Sequence, residues 1–211
     1  MAIETVRGSR FIIHFNGSRC IHSRNCVLDR PDVFVPNVKG EWIFPDKADV
    51  AAMAQLAHNC PSGAITYERV DGGKGEEPPL VNVVRVRENG PLAINAPLVI
   101  DGVDQGLRAT LCRCGQSKKK PFCDGSHTAT GFVASGEPVQ QDSQALTVRN
   151  GPINITPKQN GPLLVVGNLE VVSGTGCTVN RVTKTVLCRC GNSANKPYCD
   201  GSHTRIGFKS G

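Results

Sequence analysis

Aromatic residues are scarce in this 211-residue chain: they fill 5% of positions, with one Trp and two Tyr. Large rings supply much of an ordinary core, and hydrophobic residues reach only 39%. Inorganic crosslinks are therefore expected to replace part of the missing packing. No run of about eighteen apolar residues occurs, so no membrane span is expected. Met1 to Arg10 contains no apolar core segment, so no signal peptide is readable. No nucleotide motif or catalytic dyad is legible, and the chain is not expected to be an enzyme beyond serving as a redox partner or subunit. A basic stripe interleaved with aromatics is also missing, which argues against nucleic acid as a partner. The formal charge of +6 counts every thiol as neutral, and metal-bound thiolates would shrink it.

What the chain has is cysteine, glycine and proline: 10, 23 and 14 residues. Glycine and proline in that number indicate turns and short strands rather than long helices. The cysteines read as reduced thiols in a cytoplasmic setting rather than as a secreted disulfide framework. Six of them fall in a stretch that occurs twice. Cys112-Arg-Cys-Gly-Gln-Ser-Lys-Lys-Lys-Pro-Phe-Cys-Asp-Gly-Ser-His127 returns, with the same four donor positions, from Cys188 to His203. Three thiolates and one imidazole at such close spacing suit zinc or an iron–sulfur cluster. Cys123 and His127, like Cys199 and His203, are four apart, the spacing of one helical turn. Asp124 and Asp200 stand where a helix N-cap would be. Ser117 and Ser193 either bond a cluster sulfur or cap a turn.

The repetition extends upstream. Gly90-Pro-Leu92 and Gly161-Pro-Leu163 lie 71 residues apart, whereas the first cysteines lie 76 apart. The second copy thus carries five extra residues, assigned to the loop Gly174-Thr-Gly-Cys-Thr178. Val/Ile-rich runs such as Pro97-Leu-Val-Ile100 and Leu163-Leu-Val-Val166 read as strands, and 136–160 as a strand-and-turn connection. Two copies suggest a pseudo-symmetric pair, since a solenoid needs at least three.

The full pattern Cys-x-Cys-x2-Ser-x3-Pro-x-Cys-Asp-Gly-Ser-His resembles the CDGSH iron–sulfur domain of mitoNEET-like proteins at every fixed position, over about residues 80–211. The resemblance implies a [2Fe-2S] cluster on Cys112, Cys114, Cys123 and His127, and another on Cys188, Cys190, Cys199 and His203. It also implies a monomer whose two motifs form an internal pseudo-dimer, with Ser117, Asp124, Ser193 and Asp200 around the clusters. Histidine ligation raises the reduction potential relative to all-cysteine clusters and makes the histidine the acid-sensitive ligand. Arg113 and Lys118-Lys-Lys120 are read as docking an acidic redox partner, offsetting cluster charge, or forming a solvated turn.

The N-terminal segment has its own cysteines. Phe11, Ile13 and Phe15 alternate with Ile12 and His14 as a half-buried strand, a helix is expected from Pro45-Asp46, and Ile65-Thr-Tyr67 closes as a strand. Cys20 and Cys26 take the outer places of a Cys-x2-Cys-x2-Cys run, with Ser23 in the middle and Cys60-Pro61 as the distant partner. Residues 10–70 resemble divergent mono-cluster ferredoxin domains. Three thiolates suit a [3Fe-4S] cluster, or a [4Fe-4S] cluster whose fourth iron takes serine, imidazole (His22 being nearest) or solvent. A cluster-free domain or a disulfide is the bland alternative. His14 and His58 read as packing or surface residues, and Cys177 as an unassigned thiol.

The expected fold is α+β: a small ferredoxin-like domain at 1–70, a linker at 71–79, and two β-rich CDGSH modules at 80–135 and 136–211 forming a pseudo-two-fold pair. The expected work is electron transfer or cluster storage and transfer, to a redox partner protein or an apo-acceptor. The alternative is a zinc-binding interaction module contacting nucleic acid, although the ligand spacing is tighter than in the usual finger.

Overall fold

A computed structural model describes residues 3–211. Met1 and Ala2, where the first expected domain begins, lie outside the described residues. The chain divides after Glu77 into two compact units.

In the first unit, β1 (Glu4–Arg7), β2 (Phe11–Phe15) and β3 (Ile65–Arg69) form an antiparallel sheet in the order β1-β2-β3. The alternation in β2 does what period-two patterning requires, burying Phe11 and Ile13. Against that face pack Val33, Phe34, Ile43, Met53, Leu56 and Ala57. Helix α1 (Asn25–Asp29) is short and carries Cys26. Helix α2 (Val50–His58) starts later than expected. Pro45–Lys47 makes a single 3₁₀ turn and Ala48 is extended. The Asp49 carboxylate then caps α2 by accepting the Ala52 N–H at 2.8 Å. Asp46 does not serve as the cap because its Oδ1 accepts from the Ser9 N–H and hydroxyl, both at 2.7 Å.

The second unit, Pro78–Gly211, is built on β4 (Val83–Val86), β5 (Leu92–Asn95), β6 (Leu98–Ile100), β7 (Val103–Asp104), β8 (Arg108–Leu111), β9 (Ile153–Pro157), β10 (Leu163–Val172) and β11 (Thr178–Leu187). Two single-turn helices, α3 (Ser126–Ala129) and α4 (Ser202–Arg205), follow the ligand segments. The strands run β7-β6-β9-β10-β4-β5-β8, with β11 also paired to β10. The expected modules 80–135 and 136–211 therefore share one sheet and one core, in which Val84, Ile94, Leu98 and Leu111 mix with Ile153, Val165, Leu169 and Leu187.

The exchange between copies is reciprocal. Parallel pairing joins β6 to β9 as Val99↔Asn154 and Ile100↔Ile155. Parallel pairing also joins β10 to β4 as Glu170↔Val83 and Val171↔Val84. Shifting one set by 71 residues gives the other. Strand β10 serves β9 with its first half and β4 with its second, and between the two, beside Gly167 at φ 132°, its register with β11 breaks from Val166 to Leu169. A Cβ on Gly167 would stand 2.6 Å from the Pro152 carbonyl oxygen, so only glycine fits.

The connection differs from expectation. Apart from β9, residues 136–160 form no strand. Val139 and Val148 face outward, so alternation there has no core to serve. The segment instead runs beside β11, where the Gln141 N–H donates to the Val179 carbonyl at 2.8 Å and the Arg181 N–H to the Ser143 hydroxyl at 3.2 Å.

Candidate metal centres

Each copy zips its two ligand-bearing pieces together. The Cys112 N–H donates to the Pro121 carbonyl at 2.8 Å and the Cys123 N–H to Thr110 at 2.9 Å. The same bonds recur as Cys188 to Pro197 at 2.7 Å and Cys199 to Val186 at 2.9 Å. The strand end with the Cys-x-Cys pair is thereby fixed against the segment with the third cysteine.

The donors then associate two by two. Cys112 and Cys114 Sγ stand 3.7 Å apart, and Cys188 and Cys190 Sγ 3.8 Å. The Cys123 Sγ lies 3.3 Å from His127 Nδ1, and the Cys199 Sγ 3.4 Å from His203 Nδ1. Two thiolates at about 2.3 Å on one tetrahedral metal would be separated by about 3.8 Å. Each pair thus has the spread of a half-shell around one metal, and among the described residues no three such donors converge on a single ion. The donor set fits an iron–sulfur group with two metals, each taking one pair.

Burial and hydrogen bonds shape the thiols. The Cys112 pKa is pulled down to about 6, first by its hydrogen bond with Cys114 and then by backbone N–H groups of Ser117, Gly115 and Cys114. Cys114 is driven up by that same bond, then by burial. Burial raises Cys123 to about 11 and also raises Cys190. The His127 pKa is lowered, chiefly by burial. Backbone N–H groups point at sulfur in both copies: Gln116 to Cys114, Gly125 to Cys123 and Gly201 to Cys199, each at 3.4 Å. Such donors stabilise thiolate and help set cluster potential.

The serines and aspartates hold the loops. Ser117 and Ser193 donate their hydroxyls to the Phe122 and Tyr198 carbonyls, at 2.7 and 2.6 Å, and accept the Lys119 and Asn195 N–H groups. They close turns, and the group Ser117 turns to Cys112 is its backbone N–H. Asp124 and Asp200 lie one residue before the N-caps, which are Gly125 at φ 87° and Gly201 at φ 83°. The Asp124 carboxylate accepts the Ser126 and Lys118 N–H groups at 3.0 and 2.8 Å, and Asp200 those of Ser202 and Ala194, both at 2.9 Å. Each aspartate so ties the turn after the Cys pair to the loop that presents histidine. Against the burial that would push it up, bonds from Ser126 and Lys118 hold the Asp124 pKa at about 2. The Cys–His approach comes from this tight loop, because the helices begin after the cysteines, at Ser126 and Ser202.

Arg113 corrects a sequence expectation. It is 1% exposed rather than a surface cation. Its guanidinium donates to the carbonyls of Gly90, Ser135, Arg87 and Ala134 at 2.6–3.0 Å and sits over the Phe132 ring. Arg189 repeats this with Gly161 and Lys158 and sits over Phe208. The Cys-Arg-Cys arginines thus bolt the ligand loops to the Gly-Pro-Leu turns. The arginine at the same place in both copies was the signal for this role. Of the lysines, Lys120 Nζ donates to the Ser117 carbonyl at 2.7 Å, matched by Lys196 to Ser193 at 2.6 Å, while Lys118 and Lys119 are exposed.

In the first unit Cys20, Cys26 and Cys60 all line one cavity of about 700 Å³, together with His22 and Ser23. Its walls include Phe15, Val35, Trp42 and Ile65. Burial raises the Cys20 and Cys26 pKa values, and the neighbouring thiols raise them further. Three thiols lining one cavity, with Cys20 and Cys26 resisting ionisation alone, are a suitable donor set for a cation-rich cluster, whose binding displaces their protons. None of the ten cysteines is disulfide-bonded. Cys177 is exposed at the β10–β11 turn. His14 lies between Thr5 and Glu68, and His58 against Tyr67. No helix among the described residues is long and apolar enough to cross a membrane.

Residues 89–128 and 160–204 match a family model described as "Iron-binding zinc finger CDGSH type", and residues 6–70 one described as "Divergent 4Fe-4S mono-cluster". The chain is similar to "Uncharacterized protein YjdI" of Escherichia coli (strain K12), with 41% identity over 61 residues, 28% of this chain and 78% of that protein. It is also similar to "CDGSH iron-sulfur domain-containing protein 1" of Rattus norvegicus, 32% identical over 90 residues, 43% of this chain and 73% of that protein. The Bos taurus protein of the same name is 34% identical over 92 residues, 44% and 76% of the two chains.

Proposed function

This chain belongs to the CDGSH iron–sulfur family, and from that premise we propose that it holds two [2Fe-2S] clusters in a pseudo-two-fold pair and a third cluster in its divergent mono-cluster domain. The observation that carries the reading is the two-by-two association of donors, repeated in both copies. A single zinc ion calls for four donors around one point, so the same observation weighs against a zinc module. The reciprocal strand exchange supports the pseudo-two-fold pair within one chain.

The work proposed is one-electron transfer to a redox partner protein, or storage and donation of clusters to an apo-acceptor, in a cytoplasm that keeps thiols reduced. Bound clusters supply the one-electron chemistry. The chain's own residues fix the donors, turn backbone N–H groups to sulfur and leave His127 and His203 half-buried near solvent. Iron and sulfide analysis with EPR tests the content: about eight irons per chain are expected with a [4Fe-4S] third cluster, and about four would leave the N-terminal site empty. Incubation with an apo-ferredoxin separates the two kinds of work, because an electron carrier keeps its clusters. A colourless protein containing zinc would overturn the proposal.

A further inference from the structure

The cavity of the first unit presents three thiols, whereas a four-iron cluster has four corners to fill. Ser23 stands at the place in the motif where a cysteine is absent, and His22 precedes it; both line the cavity. Two observations separate them. His22 holds a left-handed backbone at φ 54°, a region non-glycine residues seldom enter and in which strain tends to mark functional sites. Its N–H donates to the Cys20 Sγ at 3.4 Å, which fixes the residue to a thiol of the site. Among the described residues no hydrogen bond engages its imidazole ring, and the same holds for the Ser23 hydroxyl, so the backbone placement and the bond to Cys20 decide between them.

The chemistry agrees. An imidazole binds iron as a neutral ligand near neutral pH, whereas a serine oxygen must first surrender a tightly held proton. The walls contributed by Phe15, Trp42 and Ile65 are apolar, and a half-buried apolar site favours a less anionic cluster. A neutral fourth ligand lowers the negative charge that three thiolates and the cluster sulfides place there. The adjacent Arg24, also lining the cavity, acts in the same direction.

We infer that His22 is the fourth ligand of a [4Fe-4S] cluster held by Cys20, Cys26 and Cys60. This rests on the third-cluster reading above.

The test uses the full chain, reconstituted without oxygen, beside His22→Ala, Ser23→Ala and His22→Cys. The reduced [4Fe-4S] signal relaxes faster than those of [2Fe-2S] centres and is selected by temperature. In the unsubstituted chain and in Ser23→Ala it should show a directly bound ¹⁴N coupling, with about eight irons per chain. His22→Ala should lose that coupling, fall by about one iron and show an oxidised [3Fe-4S] signal. His22→Cys should restore the iron without the coupling. The [2Fe-2S] signals, unchanged throughout, report that the second unit has folded, and the iron regained in His22→Cys reports that the first unit folds with position 22 replaced. About eight irons without the coupling, or iron loss in Ser23→Ala instead, would overturn His22 alone. About four irons in the unsubstituted chain would overturn the third cluster and His22 with it.

Discussion

Single residues set both the chemistry and the hold on each centre. If His127 and His203 are ligands, replacing each by Cys exchanges a neutral donor for an anionic one, and the reduction potential should fall. Acid sensitivity should fall with it. A free imidazole binds a proton at about 6.5, and the protonated ring has no lone pair for iron, so loss grows as pH drops below that value. Burial lowers the His127 pKa, which moves the proton's competition to lower pH at that copy. Redox titration and visible absorbance against pH check both statements, and an unchanged potential would remove the histidines from the ligand set. Arg113 gives a separate test of stability. Arg113→Ala removes four bonds to carbonyls, of which those of Arg87 and Ala134 keep a backbone donor, whereas Arg189→Ala removes two, of which that of Lys158 keeps one. At about 1 kcal/mol for each carbonyl left unbonded, two against one, Arg113→Ala should be the more destabilising by about 1 kcal/mol. Denaturant midpoints of the two variants should rank in that order, and Arg113→Lys should rescue little, because one ammonium cannot reproduce the fork.

At the scale of elements, the copies are equivalent in strand pairing and unequal in what their strands carry. Val99 of β6 has Glu170 of β10 as its counterpart 71 residues on. The Glu170 side chain is 2% exposed, accepts from Arg149 Nε at 2.8 Å and the Thr178 hydroxyl at 3.1 Å, and has Arg181 at 3.8 Å. Burial pushes its pKa up, but the bonds from Arg149 and Thr178 win and the net direction is down. A carboxyl depressed in the folded state adds stability above its unfolded value of about 4.3, and that stability disappears as pH falls through the lower folded value. Glu170→Gln should therefore cost about 1 kcal/mol at neutral pH and progressively less toward acid. Urea unfolding at several pH values reads this directly, and a cost that grows toward acid would contradict the ion-pair account.

What the sequence made legible at this scale was local. The ligand spacing, the alternation of β2 and the strand starts read at Ile65-Thr-Tyr67 and Leu163-Leu-Val-Val166, which the structure extends to Arg69 and Val172, depend on neighbours within a few residues. The resemblance implied an internal pair, but which strands interleave, β6 with β9 and β10 with β4, did not emerge, because parallel pairing is set by contacts about 55 to 90 residues apart that no periodicity encodes. Arg113 read as a docking or solvated cation because its partners are backbone carbonyls, which leave no residue pattern, and only its recurrence as Arg189 hinted at them. Asp49 escaped notice because two aspartates precede α2, and only the competing bonds from Ser9 to Asp46 decide which one caps it.

At the scale of the second unit, the two ligand loops touch. A Cβ on Gly115, at φ 80°, would lie 2.5 Å from the Cys190 carbonyl oxygen, and one on Gly191, at φ 84°, would lie 2.5 Å from that of Cys114. Each glycine therefore protects a cysteine of the other copy, and backbone rather than a flexible side chain would have to yield. Gly115→Ala lies in the first motif but presses on a donor of the second, so both centres should lose occupancy. Gly125→Ala is the control: it is similarly strained at φ 87°, yet nothing lies within 4 Å of its Cβ, so its effect should stay with the Cys123–His127 pair. A His203→Cys background makes the two centres distinguishable, since the second is then expected at lower potential. In that background Gly115→Ala should diminish both reduced signals, and Gly125→Ala chiefly the one at higher potential. If Gly115→Ala depletes the 112–127 centre alone, the two sites load independently despite their contact. Loss at both would mean that interleaving the strands has made one cooperative unit of two motifs.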